Sequence, residues 1–206
     1  MALTLAEGRQ AVLLARETLE AHVKGAAPPQ ARRLPGVFAE KRGVFVTLNS
    51  LESGAKTLRG CIGYSEPVKP LGEAIRDVTV YASEDPRFPH PVLPEELDEL
   101  VVEVSVLTLP EELKAPKRSE LPSRIRLGVD GVIVSDGLSS GLFLPQVATE
   151  QGWDQETYLS EACLKAGLSP AAWLDPGTTV EVFQAEIFGE EEPRGEVARM
   201  DPETAR

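Results

Sequence analysis

The stretch of this chain best suited to chemistry is residues 58–63, with the sequence LRGCIG. Cys61 stands between Gly60 and Gly63, and Arg59 precedes it by two positions. Glycines let the backbone turn tightly and approach a ligand, and amides exposed by such a turn form an anion-binding nest. The pattern predicts a nucleophilic Cys61 whose pKa is lowered by Arg59, with Arg59, Gly60 and Gly63 binding an anionic group of the substrate.

The same stretch also allows a purely structural interpretation. A buried free cysteine in a tight turn behaves as a small hydrophobic residue, and Arg59 would then point to solvent. No partner base stands beside the thiol in the sequence. The residues alone therefore leave both interpretations of Cys61 open.

Two later segments supply helper groups for the thiol. Asp85 and Arg87 lie in a proline-rich loop, which is a candidate pocket wall; a local salt bridge that braces the loop is the alternative. Glu103 alternates with valines in a predicted strand, so it faces either the same cleft as Cys61, as a base or an orienting group, or solvent. His90 is the only plausible imidazole base.

The LRGCIG stretch and five further blocks resemble the AMMECR family over about residues 3–188. The other blocks are DPRFP at 85–89, VEVSVLT at 102–108, SGLFLPQVA at 140–148, QGWD at 151–154 and KAGL at 165–168. The resemblance implies a mixed α/β fold of two subdomains. It adds Ser140 and Gln146 as substrate-binding candidates, and it implies a Memo-like protein and a radical SAM protein as partners. The family has no established activity, and its loop does not require a histidine at position 90.

The distribution of apolar residues predicts the same class of fold. The chain has 206 residues, of which 42% are hydrophobic, enough for one core or two small ones. Capped helices are predicted at 4–25, 70–83 and 154–166, with Cys163 on the apolar face of the last. Strands are predicted at 43–49, 101–109 and 179–187, with a meander of 125–127, 132–134 and 142–144. We expect a mixed or antiparallel sheet flanked by helices, a subdomain junction near 110–124 and a mobile acidic tail over 189–206.

Composition excludes several classes of partner. A net charge of −12 argues against nucleic acid, whose phosphates need Lys and Arg. No apolar run is long enough for a membrane span, and the first residues lack the features of a signal peptide. Two cysteines and two histidines without ligand spacing predict no disulfide, metal or cofactor. We expect a cytoplasmic protein. A single asparagine with 17 prolines suggests a heat-tolerant source, and a GC-rich genome would produce a similar bias.

Two functions remain open on these grounds. The first is a cysteine-dependent enzyme with Cys61, Glu103 and Asp85 as catalytic groups. Its substrate would be an anionic small molecule or peptide, because Arg59 and Arg87 suit a carboxylate or phosphate. The second is a non-catalytic interaction module whose LRGCIG turn docks a partner protein.

Overall fold

Helices and strands alternate along the chain in a computed structural model that describes residues 2–27, 34, 36–52 and 54–200. The helices are α1 (Leu5–Val23), α2 (Leu71–Ser83), α3 (Pro145–Gln151) and α4 (Gln155–Lys165). The strands are β1 (Val44–Glu52), β2 (Ala55–Tyr64), β3 (Leu100–Leu107), β4 (Glu111–Glu112), β5 (Gly131–Ser135), β6 (Ser140–Phe143), β7 (Thr179–Phe183), β8 (Ala185–Glu190) and β9 (Val197–Met200). This confirms the predicted mixed α/β class.

The chain divides into two compact units. The first comprises Met1–Leu107 with Glu186–Arg206, and the second comprises Thr108–Ala185. The chain therefore enters the second unit just before the segment 110–124, in which the junction was expected. That segment belongs to the second unit and contains its first strand, β4.

The first unit is a five-stranded sheet in the order β2-β1-β3-β8-β9, with α1 and α2 packed on one face. Alternate valines and leucines of β1 and β3 face these helices and are fully buried, which the period of two in a strand explains. The residues between them lie on the other face. We call this second face the thiol face; it carries Phe45 and Thr47 of β1, Cys61 and Gly63 of β2, and Glu103 of β3.

Helix α1 begins where the sequence predicts. Thr4 and Glu7 form a reciprocal capping box that satisfies two free backbone amides. A Cβ atom on Gly8 would lie 2.1 Å from the Phe188 ring, so glycine lets the helix approach β8 closely.

Among the described residues, no helix is both long and apolar enough to cross a membrane.

The second unit is a four-stranded sheet in the order β4-β7-β5-β6 that packs against α4. The predicted hairpin at Asp136 and Gly137 is confirmed, and Gly137 has the positive φ of +88° that the turn requires. Asp154 caps α4 as predicted, accepting a hydrogen bond from the Thr157 amide. Cys163 is fully buried on the apolar face of this helix, as expected.

Two strand predictions are wrong in detail. Residues 125–127 are not a strand, because Arg126 donates backbone and side-chain hydrogen bonds to Asp130 and closes a turn there. The segment 179–187 is two strands, β7 and β8, which belong to different sheets. They separate at Gln184, whose side chain donates to Asp130 at 3.1 Å and whose amide donates to Thr108 Oγ1 at 2.9 Å.

The mobile tail predicted for 189–206 is also wrong as far as Met200. β8 continues to Glu190, and β9 pairs antiparallel with it. The Glu190 carboxylate is buried, accepts a 3.0 Å hydrogen bond from Nε of Arg16 in α1, and accepts another from the Val102 amide. The acidic run looked like a solvated end, but one of its charges neutralises a buried arginine. Residues 201–206 lie outside the described residues.

We predict that Glu190→Ala lowers the free energy of unfolding by about 3–5 kcal/mol, because it leaves the Arg16 guanidinium buried without its counter-charge. Urea unfolding measures the change. Glu191→Ala is the matched control: this neighbouring glutamate is exposed, so we expect a change within about 0.5 kcal/mol. Equal effects of the two substitutions would mean that the Arg16–Glu190 pair adds nothing to stability.

Candidate functional site

The LRGCIG stretch lies inside strand β2 and is not a turn. β1 and β2 pair from Val44↔Tyr64 to Leu48↔Gly60, and the register then shifts so that Asn49 faces Leu58. Arg59 is the extra residue, so β2 has a β-bulge at this position. The predicted turn with exposed amides is therefore wrong, because the segment belongs to the sheet.

Gly60 and Gly63 are required by close packing and not by backbone conformation, since neither has a positive φ. A Cβ atom on Gly60 would lie 2.1 Å from the carbonyl oxygen of Ala82 at the end of α2. On Gly63 it would lie 2.3 Å from the ring of Phe45. The glycines thus let a helix end and an aromatic ring lie against β2. The prediction that they form an anion-binding nest is wrong.

Arg59 is fixed by the loop that follows α2. Its Nε donates to Glu96 at 2.6 Å, its Nη2 donates to the His90 carbonyl at 3.1 Å, and its guanidinium lies 5.4 Å from the centre of the Phe88 ring. Burial raises the pKa of Glu96, but hydrogen bonds from Arg59 and from the Leu93 amide outweigh it and hold that pKa below its ordinary value. Arg59 therefore holds the bulge to this loop, which corrects its predicted roles as thiol partner and anion holder.

Asp85 and Arg87 cap the open edge of β2 at Cys61. The Cys61 amide donates to Asp85 Oδ2 at 3.0 Å, and Arg87 Nη2 donates to the Cys61 carbonyl at 2.9 Å. The two side chains also form an ion pair at 2.6 Å, in which the Asp85 side chain is fully buried. β2 is an edge strand, so this pair satisfies the two main-chain groups that a neighbouring strand would otherwise bind.

The pairing decides what Asp85 can do. Hydrogen bonds from Arg87, and after them from the Cys61 amide, hold the pKa of Asp85 far below its ordinary value of 3.8 despite burial. A carboxylate with so low a pKa is too weak a base to accept a proton at neutral pH. The predicted catalytic role of Asp85 is corrected to positioning of Cys61 and Arg87.

Cys61, Thr47 and Glu103 form a row across three neighbouring strands. Thr47 is the pairing partner of Cys61 on β2 and of Glu103 on β3, so the three side chains share the thiol face. The Thr47 hydroxyl donates to the Cys61 sulfur at 3.3 Å. The structure thus brings two of the predicted catalytic residues together, with a hydroxyl between them.

Glu103 is the most unusual group on the thiol face. The residue is only 5% exposed, and its carboxyl group has neither a hydrogen bond nor an ion pair with any described residue. Burial raises its pKa from 4.5 to about 7, although Lys56 opposes the shift. Gly189 lies against the Glu103 side chain, and Met200 packs over Gly189. A carboxyl group that is half protonated near neutral pH is suited to both donate and accept a proton.

The thiol of Cys61 is half-buried and is not activated in the resting protein. Burial raises its pKa above 9.0; the hydrogen bond from Thr47 and the charge of Arg87 lower it, whereas Glu103 and Asp85 raise it further. Cys61 is therefore neutral at pH 7, which corrects the predicted low pKa. The thiol would need a base during reaction.

The remaining candidates lie in the second unit. Ser140 is exposed at the start of β6, opposite Ser135. Gln146 is exposed in the first turn of α3, where its carbonyl accepts a 2.8 Å hydrogen bond from Thr149. Across the described parts of both units, no group of three or more His, Cys, Asp or Glu side chains is arranged to hold a metal ion.

Sequence reasoning missed Thr47, Lys56 and Met200. Alternation along β1 would have placed Thr47 on a single face of the strand, but not opposite Cys61, because the bulge changes the register. Met200 lies in the predicted tail, and no local pattern places it beside Gly189. Lys56 is an exposed residue of β2, and its effect on Glu103 depends on the fold of the sheet.

We predict that Arg59→Met and Arg87→Met separate stability from reactivity. Arg59→Met should lower the free energy of unfolding by about 1.5–3 kcal/mol, because it removes hydrogen bonds to Glu96. Arg59 is not among the groups that shift the thiol pKa, so the substitution should leave that pKa nearly unchanged. The rate of Cys61 alkylation should then stay within about twofold of the unmodified protein, because a full pKa unit would change it about tenfold. Arg87→Met should slow it about tenfold at pH 7, because a cation that lowers the thiol pKa is lost.

Peptide mass mapping of the alkylated protein distinguishes Cys61 from the buried Cys163. Equal slowing by the two arginine substitutions would show that Arg59 acts on the thiol as strongly as Arg87 does, and would contradict this prediction.

A further prediction concerns stability against pH. The folded pKa of Glu103 lies above its ordinary value of 4.5, so its contribution is fully present below pH 4.5 and is lost as pH rises through about 7. The shift corresponds to about 3 kcal/mol, at 1.36 kcal/mol per pKa unit. Glu103→Gln cannot ionise, so the variant should gain stability relative to the unmodified protein between pH 4.5 and 8.

Thermal unfolding at pH 4.5 and pH 8 provides the measurement. Exposed Glu99→Gln is the control and should follow the unmodified protein at both pH values. A constant difference between the Glu103→Gln variant and the unmodified protein would show that Glu103 titrates normally.

Comparison with known proteins agrees with this fold. The AMMECR1 family model matches residues 12–188. A protein from Methanothermobacter thermautotrophicus is 52% identical over 187 residues, covering 90% of this chain and 95% of its own. One from Thermococcus gammatolerans is 52% identical over 197 residues, with 93% and 94% covered. The crystal structure of the uncharacterized protein PH0010 from Pyrococcus horikoshii superposes with a TM-score of 0.71 at 49% identity, over 95% of this chain and 97% of that one. This chain belongs to the AMMECR1 family.

Proposed function

We propose that the first unit is a cysteine-dependent enzyme in which Cys61 is the nucleophile and Glu103 is the general base. The observation that carries this proposal is the Glu103 carboxyl group, buried and without a partner in the row that contains the thiol. Burying a carboxylate without a partner is costly. A sheet that served only for packing would gain stability from an apolar residue at this position, so the carboxyl group is better explained by chemistry.

The properties of the two groups complement each other. The thiol is neutral at pH 7, and Glu103 is about half ionised there. The proton leaves sulfur as the sulfur electron pair forms a bond to a carbonyl carbon of the substrate, whose π-electron pair moves onto oxygen. Glu103 accepts the proton and returns it to that oxygen or to a leaving group. General base catalysis of this kind is effective when the pKa of the base lies near the working pH.

Arg87 is the group that we assign to an anionic part of the substrate. Its side chain is 56% exposed. Its Nε and Nη2 bind Asp85 and the Cys61 carbonyl, whereas its Nη1 has no partner among the described residues. A guanidinium held on one side and open on the other suits a carboxylate or phosphate.

A Memo-like protein, a radical SAM protein and a cytoplasmic location remain predictions from the sequence.

One observation favours the alternative, a non-catalytic interaction module. Burial raises the pKa of Cys61, so the reactive thiolate is scarce at neutral pH. For an interaction surface, Cys61 would be a small half-buried side chain beside Thr47 on the thiol face. Cys61→Ser would then preserve partner binding, whereas the enzyme would lose its activity.

Paired alkylating reagents test the proposed enzyme. Iodoacetate carries a carboxylate and iodoacetamide does not, so the ratio of their rates at Cys61 reports whether an anion is attracted. We expect this ratio to exceed that of glutathione by about tenfold, as expected for attraction of an anion by a positive group. Arg87→Met should abolish the excess, and Glu103→Gln should slow both reagents at pH 7.5.

Lys24→Met serves as the control for general charge, because this lysine is in the first unit and pairs with Glu20 instead. We expect it to leave the ratio unchanged. A ratio equal to that of glutathione, together with no effect of Glu103→Gln, would reject the enzyme and leave the interaction module.

A further inference from the structure

Thr47 occupies the position between the proposed nucleophile and the proposed base. On β1 it pairs with Cys61 of β2 on one side and with Glu103 of β3 on the other. The main-chain groups of Cys61 point away from β1, towards Asp85 and Arg87, so Thr47 and Cys61 are a non-hydrogen-bonded pair. Their Cα atoms are then about 4.5 Å apart, which brings the side chains into contact. The 3.3 Å distance from Thr47 Oγ1 to Cys61 Sγ agrees with this geometry.

The other side of Thr47 follows from the same alternation. The amide and carbonyl of Thr47 point towards β3, so Thr47 and Glu103 are a hydrogen-bonded pair with Cα atoms about 5.5 Å apart. A glutamate side chain spans that separation by changing rotamer, and the Glu103 carboxyl group has no described bond that would have to break. Glu103 lies two strands from the thiol, at about 10 Å between Cα atoms for a strand spacing of 4.7–4.9 Å. Thr47 is the residue that lies between the two in the sheet.

We propose that the Thr47 hydroxyl relays the proton of the Cys61 thiol to Glu103. This inference rests on the proposed function and adds a third residue to it. A hydroxyl has one hydrogen that rotates and two acceptor lone pairs, so it can accept from sulfur while it donates to the carboxylate. The thiol proton moves to Thr47 Oγ1 and the original Thr47 proton moves to a Glu103 oxygen. The sulfur electron pair bonds to the carbonyl carbon of the substrate, whose π-electron pair moves onto oxygen. Thr47 ends with one proton, as it began.

The charged groups around this row act at its two ends. Asp85 and Arg87 face Cys61 from the loop after α2, and Lys56 acts on Glu103 from β2. Met200 packs over Gly189 on the Glu103 side and carries no charge. The pKa of Asp85 lies far below its ordinary value, and the pKa of the Cys61 thiol lies above its ordinary value. Among the described groups on this face, a change of the alkylation rate near neutral pH is therefore due to Glu103.

The test uses the full-length protein and iodoacetamide, a neutral reagent that does not depend on Arg87. The rate of Cys61 alkylation is measured from pH 5.5 to 9.5 for the unmodified protein and for Thr47→Val, Thr47→Ser and Glu103→Gln. We expect an inflection near pH 7 in the unmodified protein. Thr47→Val keeps the β-branched shape but lacks the hydroxyl, so the inflection should disappear. The rate at pH 7.5 should fall by at least tenfold, since general base catalysis contributes about 10²–10⁴-fold.

Thr47→Ser keeps the hydroxyl and should retain the inflection, with a rate that is closer to that of the unmodified protein than to that of Thr47→Val. The double variant with Thr47→Val and Glu103→Gln should react like Glu103→Gln alone, because one path is lost in both. Thr57→Val on β2 is the matched control and should change nothing, since this threonine is exposed. Should Thr47→Val fail to fold by circular dichroism, Thr47→Ala takes its place against the serine variant.

The outcomes distinguish the relay from the function on which it rests. An inflection that survives Thr47→Val but disappears in Glu103→Gln overturns the relay and keeps Glu103 as the base. Loss of the inflection in Thr47→Ser, or effects of Thr47→Val and Glu103→Gln that multiply in the double variant, also overturns the relay. No inflection in the unmodified protein and no effect of Glu103→Gln overturn the proposed function and the relay together.

Discussion

The bulge at Arg59 is the constraint on which the candidate site depends. The hairpin of β1 and β2 pairs Glu52 with Ala55 at its turn, and continued without interruption it would place Thr47 opposite Gly60. The extra residue shifts the register by one, so that Thr47 faces Cys61 instead. A shift of one residue exchanges the two faces of a strand. Without the bulge, Cys61 would point towards the helices and the thiol face would have no thiol.

The bulge explains why charged groups collect in the loop after α2. A bulge residue lies outside the regular ladder and requires other contacts to hold it in place. Arg59 obtains them from Glu96 and the His90 carbonyl. The same loop contributes Asp85 and Arg87, which bind the main chain of Cys61 at the open edge. One loop thus fixes both the register shift and the cysteine that the shift exposes.

The sequence predicts the elements of this fold better than the site they build. Caps at Thr4 and Asp154, the turn at Gly137 and the alternation around Glu103 are local signals, and the structure confirms them. Cys61 and Glu103 were identified from their residue types, and they share a face. The prediction that Arg59 acts on the thiol is wrong, and Arg87 has that position instead. The choice between the two arginines depends on a register shift and on a loop that returns from 37 residues away. Such long-range contacts leave no local pattern.

The C-terminal strands show why composition alone misjudged the other side of the site. A run of glutamates near the end of a chain is typically solvated, yet Glu190 is buried against Arg16. β8 and β9 are held by that pair and by the main-chain ladder, and they bring Gly189 and Met200 beside Glu103. Burial of the Glu103 carboxyl group, and hence its raised pKa, therefore depends on strands from the opposite end of the chain. An ion pair on the helical face of the sheet thus helps to set the acid–base property of a residue on the thiol face.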